Sequence, residues 1–213
     1  MKKYIVLSIL FILPITVYIF FALSTNYFKP LPVITDNVEE VNDFVNLKGE
    51  KVQLRDKITI LGFFGNDLEA HRAYAYNLAH KIYGKYYQFN DFQFVILLPE
   101  GTENQARKIE AKLEEIAPTD TWHFAFSTES NIARVFNSLQ SPYSLRADQS
   151  TPYVFIIDKE VNLRGGLDKE DNVRYGFDSS VIADINNEMN DAVKVLLAEY
   201  RRALKKYGSQ REI

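Results

Sequence analysis

Apolar residues fall along the chain in three patterns, and each predicts a different kind of element. The first is an unbroken run near the amino end. After Lys2 and Lys3, YIVLSILFILPITVYIFFAL (Tyr4 to Leu23) carries no charge and is interrupted only by Ser8, Pro14 and Thr16. A helix of about 20 apolar residues matches the hydrocarbon core of a bilayer. The run predicts a transmembrane helix, and the two lysines before it direct its amino end to the cytoplasm. The competing expectation is a cleaved signal peptide with Ala22-Leu23-Ser24 as its small-x-small site. The run is long for a signal sequence, which favours an uncleaved anchor over residues 1–24. Aromatic and β-branched side chains all round the segment disfavour a buried core helix.

The second pattern is a short apolar run bounded by turn residues, the mark of a strand. KITILGFF (Lys57–Phe64) and FQFVILLP (Phe92–Pro99) are nearly continuous, as central strands buried on both faces should be. WHFAF (Trp122–Phe126) is a shorter run. DFVNLKGEKVQL alternates about Lys48-Gly49-Glu50 as a hairpin would, and PYVFIIDKEVNLRGG reads as two strands turning at Asp158–Glu160. The third pattern has the helical period. Leu68, His71, Ala75, Leu78 and Ile82 share one stripe of a helix from about Asp67 to Tyr83, with Asn66 as N-cap and Glu69 completing a capping-box arrangement. Further helices are expected over Thr102–Pro118, Glu129–Leu139 and about Ser180–Tyr207. Residues 25–40 read as a proline-bearing linker, 41–207 as one domain and 208–213 as a tail. Ser141–Ser150 and LDKEDNVRYGFDS are expected to be loops.

In chain order this gives a hairpin, alternating strands and helices, a second hairpin and a last helix. Alternation implies a sheet with parallel core strands and helices on both faces, while the tight turn makes the last strand pair antiparallel. That is the order of a thioredoxin-like α/β three-layer sandwich.

Composition then removes several functions. The net charge is −3 over 213 residues and no basic face dominates, so no nucleic-acid partner is expected. RRALKK near the end reads as a cationic helix C-terminus. The chain has no cysteine. Thiol–disulfide exchange, thiol peroxidase chemistry and thiolate metal sites are all excluded. Arg164-Gly165-Gly166 follows a strand but lacks the lysine pattern of a phosphate loop. His80 and His123 stand singly, without ligand spacing, and are read as structural. The tyrosines of YAYNLAHKIYGKYY are read as core and rim packing.

Four segments in order, DFVNLKGEKVQLRDKITILGFF, the junction at Phe64, WHFAFSTESNIARVFNSL and TPYVFIIDKEVNLRGGLD, resemble the Sco/SenC family of membrane-anchored, thioredoxin-like copper chaperones. The resemblance implies an extracytoplasmic domain, periplasmic or on the intermembrane side, on a single amino-terminal anchor. It also implies a partner in respiratory-oxidase maturation. That family's chemistry rests on a Cys-x-x-x-Cys pair at the start of the first helix and a distant histidine, a donor set suited to soft Cu(I). Matched at the strand end, Asp67 and His71 take the two cysteine positions, and Gln149 or Ser150 takes the histidine position. All three ligands are replaced. Thr151-Pro152 matches the place where thioredoxin-like folds put a cis-proline.

The residues support two readings of this junction. Asp67 and His71, four apart at a helix start, cap the helix and pair with each other. Alternatively they bind copper or zinc, with Gln149 as a third ligand. Acid–base catalysis by the pair lacks a third group and a pocket. The expected function is therefore a membrane-anchored, non-enzymatic binding or assembly factor without thiol redox activity and without a resident cofactor. The alternative is a metal-binding protein using Asp67 and His71.

Overall fold

The computed structural model describes residues 2–23, 30–167 and 172–209. The start of the expected linker, the last residue of the Ala-Leu-Ser motif and most of the tail lie outside these. The chain divides into two compact units, Met1–Pro30 and Leu31–Ile213.

The first unit holds helix α1 (Lys2–Leu23), with Pro14 inside it. Residues 9–20 of it are exposed. Among the described residues no helix is long and apolar enough to cross a membrane. This overturns the expected anchor, and with it the single-pass topology, the membrane partner and the extracytoplasmic placement. The expected role as a membrane-anchored assembly factor falls with them.

The second unit is built on an eight-stranded mixed sheet. In chain order its elements begin with β1 (Val33–Thr35), β2 (Val45–Asn46) and β3 (Ile58–Phe63). Helix α2 (Arg72–Leu78) runs on through a π-helical turn into α3 (Gly84–Tyr86). β4 (Phe92–Pro99), α4 (Glu103–Leu113), β5 (Trp122–Ser127), α5 (Glu129–Ser138), β6 (Tyr153–Ile157) and β7 (Leu163–Arg164) follow. β8 (Gly166–Leu167) and β9 (Val173–Arg174) form a small separate hairpin. β10 (Phe177–Asp178) and a π-helical stretch, Asp184–Met189, lead into α6 (Asn190–Ser209). The sheet order is β1-β7-β6-β3-β4-β5-β2, with β10 pairing on β6.

β3, β4 and β5 are parallel, and β6 returns antiparallel to β3. The two long apolar runs form the centre as their composition demands: every residue of β3 and β4 is buried. Alternation sends Ile58, Ile60 and Phe64 to the face covered by α2, α4 and α6, and Leu61 and Phe63 to the face covered by α5. Phe94 and Trp122 are register partners on β4 and β5, and their rings stack at 4.5 Å and 7°.

Several boundaries differ from the pattern, for physical reasons. Val33–Thr35, inside the segment read as linker, joins the sheet through β7. The hairpin turn at Lys48-Gly49-Glu50 forms with Gly49 at φ 80°, yet its first strand pairs outward with β5. The segment read as a second loop contains β10, a strand too short to show a period. Asp184–Met189 delays the last regular helix to Asn190. Thr102 turns its hydroxyl back to the Pro99 carbonyl, 2.8 Å away, rather than capping α4.

One buried ion group ties the ends of the second unit together. Arg164 is 5 % exposed; its Nε donates to the Leu31 carbonyl at 3.0 Å. Its Nη1 lies 3.2 Å from Asp158 and its Nη2 2.7 Å from Glu199 on α6. Burial works against the guanidinium, but hydrogen bonds to Glu199 and Asp158 outweigh it and hold the pKa above the ordinary value. Asp158 is 1 % exposed, so removing the cation strands a buried carboxylate. Arg164→Met should cost about 3–5 kcal/mol, read as a lower denaturant midpoint at unchanged slope.

Candidate functional site

The strand-to-helix junction after β3 is shaped by one glycine. Gly65 sits at φ 72°, and a Cβ there would lie 2.5 Å from the Asp148 carbonyl oxygen. Only a residue without a side chain lets the loop before β6 approach so closely. Backbone hydrogen bonds then close the junction. Asn66 N–H donates to the Asp148 carbonyl at 3.0 Å, Thr151 N–H to the Phe63 carbonyl at 2.9 Å, and Phe64 bridges Ser150. The Thr151-Pro152 bond is not cis; among the described residues no cis peptide occurs.

Residues 67–71 form turns, and α2 begins only at Arg72, with His71 in the N-cap position. The expected capping box does not form. Glu69 binds Arg72 at 2.6 Å, and Asp67 is exposed, its Oδ1 accepting the Ala70 N–H at 3.1 Å. His71 N–H still closes one turn onto the Asp67 carbonyl at 3.3 Å, but the Asp67 carboxylate is turned to Ala70 and the two side chains do not pair. His71 reaches across the junction instead: its Nε2 lies 3.0 Å from Asp148 Oδ2.

Asp148 is the residue that sequence reasoning passed over. Its other oxygen accepts the Ser150 N–H at 3.1 Å and the Ser150 hydroxyl at 2.7 Å, an Asx turn that the Asp-x-Ser spacing could have signalled. Burial tends to raise its pKa, but hydrogen bonds from Ser150 and His71 outweigh burial and hold it below the ordinary carboxylate value. Gln149 adopts a left-handed φ of 64° and closes the Arg146–Gln149 turn, so its neighbour is the residue that meets His71. The His71 ring stacks on Tyr74 at 5.1 Å and 11°, and the Tyr74 hydroxyl accepts from Arg146 at 3.3 Å. His80 is exposed on its helix, and His123 is half-buried in β5, its pKa lowered by burial and then by Lys48.

This arrangement limits the chemistry. Ser150 bonds to the carboxylate and not to the imidazole, and a carboxylate whose pKa is held low is a weak base for its hydroxyl. The donors are one imidazole and hard carboxylates, which do not match a soft Cu(I) ion. Among the described residues no three His, Asp or Glu side chains gather as a metal ion requires. The residues present do not fit the copper site that the resemblance implies.

The class that this fold and junction define is the thioredoxin-like one. No protein-family profile and no curated protein matches the chain. Among solved structures, it is similar to a proposed electron transport protein from Aquifex aeolicus VF5, at TM-score 0.55 and 13% identity over 76% of this chain and 98% of that one. It is likewise similar to a proposed thiol:disulfide interchange protein DsbE from Chlorobium tepidum, at TM-score 0.51 and 15% identity over 78% and 99%. Copper-bound ScoI of Arabidopsis thaliana aligns at TM-score 0.47 and 15% identity over 76% and 99%, too loosely to separate one thioredoxin-like branch from another. These likenesses establish a fold. The chain has a thioredoxin-like fold without cysteines, and thiol–disulfide catalysis is closed to it.

Two outcomes test this geometry. Gly65→Ala should lower stability by about 1–3 kcal/mol and speed amide exchange at Asn66 and Thr151. Asp148 has a depressed native pKa, so its contribution is present above the unfolded carboxylate value, about 3.9, and is lost as pH falls through the lower native value. Asp148→Asn should flatten that acid limb in urea titrations between about pH 5 and 2.

Proposed function

We propose that the second unit is a thiol-free thioredoxin-type recognition domain, which binds an extended polypeptide segment on the face formed by the loop before β6. The observation that carries this reading is that His71, Asp148 and Ser150 are committed to one another. The groups at the old reactive junction hold a loop in place, and none is left poised for transfer chemistry. The pair is partly screened, with His71 15 % and Asp148 29 % exposed, enough to orient the loop without dominating stability. Descent from a Sco-type ancestor belongs to the same proposal, supported by the order of the four resembling segments.

Peptides selected by display against the full chain should shift amide resonances over residues 141–153. A Zn²⁺ or Cu⁺ titration should leave the melting temperature unchanged. A ligand that binds only the native state adds about 2.7 kcal/mol at a hundredfold excess over its Kd, which a melt readily detects. Selected peptides that perturb only other surfaces would overturn the reading. So would a stoichiometric metal that raises the Tm and is lost in His71→Ala, which would return the junction to metal binding.

A further inference from the structure

The loop that carries Asp148 also walls a cleft on its other side. The cleft encloses about 730 Å³ and is lined by Tyr143, Tyr153, Arg174, Asp178, Asp184 and Glu188. A space of that size falls in the range of sites that take a ligand or a long side chain. Tyr143 and Tyr153 stack on one another at 3.7 Å and 8°, making a flat aromatic wall.

The lining is also acidic, and Asp178 is the cross-strand partner of Tyr153. Asp184 holds Arg174 at 2.7 Å and accepts the Asp178 N–H at 2.7 Å, so its charge is spent within the protein. Asp178 gives one oxygen to Ser180 N–H at 2.8 Å. Glu188 stands 3.9 Å from Arg174, beyond hydrogen-bond reach, and its charge is only loosely met. Arg174 is further fixed over the Phe177 ring at 5.4 Å and cannot follow Glu188 without leaving Asp184 and that ring. Three carboxylates thus face one immobilised guanidinium. Arg146 also feels Asp178 but directs a hydrogen bond to Tyr74.

Carboxylates beside stacked tyrosines in one cleft are complementary to an organic cation, which gains from both the charge and the aromatic rings. The lining also includes Val181, 45% exposed, which suits an apolar chain beside that cation. We infer that the cleft receives an arginine side chain presented by an extended, otherwise apolar segment of a partner protein. This inference rests on the recognition reading above and names what is recognised.

The test uses the full chain and three probes: acetyl-Gly-Val-Arg-Val-Gly-amide, the same peptide with citrulline for arginine, and free arginine amide. Citrulline keeps the shape and removes the charge. The arginine peptide should bind about tenfold more tightly than the citrulline peptide and weaken as salt rises. Glu188→Gln, which alters no hydrogen bond of the fold, should weaken it about three- to tenfold and leave the citrulline peptide unaffected. Equal binding of the two peptides, or no binding of either, would overturn the assignment. Arginine amide binding as tightly as the peptide would also overturn it, in favour of a small-molecule amine. Display-selected peptides that shift the loop without preferring arginine would sink the cleft assignment and leave the broader recognition reading standing.

Discussion

Strand β3 is buried on both faces and hydrogen-bonded on both sides, parallel to β4 and antiparallel to β6. A strand so enclosed can reach the surface only at its end, and the chain must leave there without a side chain in the way. Gly65 provides that exit. The left-handed turn and the 2.5 Å clearance to the Asp148 carbonyl are two aspects of one constraint. Everything at the candidate site follows from it: the late start of α2, the approach of the loop before β6, and the meeting of His71 with Asp148.

The same constraint ranks the forces at the junction. The His71–Asp148 pair is partly exposed, and pairs of that kind contribute on the order of 1 kcal/mol or less. The backbone bonds from Asn66 and Thr151 lie in a closed strand-end arrangement that the glycine permits. Gly65 and these bonds therefore set the shape, and the ion pair selects the side-chain orientation within it. By contrast, the Arg164 group is buried and fixes the far side of the sheet to α6, where no surface chemistry is offered. Rigid anchoring sits at one end of the sheet and a tunable contact at the other.

What the sequence made legible was set by the range of the interactions involved. ITILGFF and FQFVILLP announce central strands because burial on both faces leaves no polar position, and their order implies the thioredoxin-like sheet. The junction could be located from the strand end alone. Its partners could not. Asp67 is the acid that local spacing offers His71, yet the acid that meets it is Asp148, 77 positions away. The i,i+4 backbone contact forms, but Asp67 turns its carboxylate to the Ala70 N–H and His71 turns its ring across to Asp148. β10 escaped notice for a related reason: two residues carry no period, and only the exposed edge of β6 turns them into a strand. At the amino end, hydropathy along Tyr4 to Leu23 pointed to an anchor. Among the described residues no helix meets the length and apolarity of a span.

Without cysteine, thiol chemistry is closed to this fold, but the strand-to-helix geometry of the junction stands. In a thioredoxin-like domain the loop before the antiparallel strand faces the helix start because the sheet brings both to one edge. That proximity persists here, with an imidazole and a carboxylate where a soft donor set would stand. The loop has two working sides: Asp148 is turned toward His71, and Tyr143 toward Tyr153 and the acidic lining. Arg146, between them in sequence, bonds Tyr74 on the first side and feels Asp178 on the second. Any cation entering the cleft competes with Arg146 for the field of Asp178, so the two sides are electrostatically linked through a single residue. Hydrogen bonds and charge are the means that a cysteine-free junction offers for coupling its two sides.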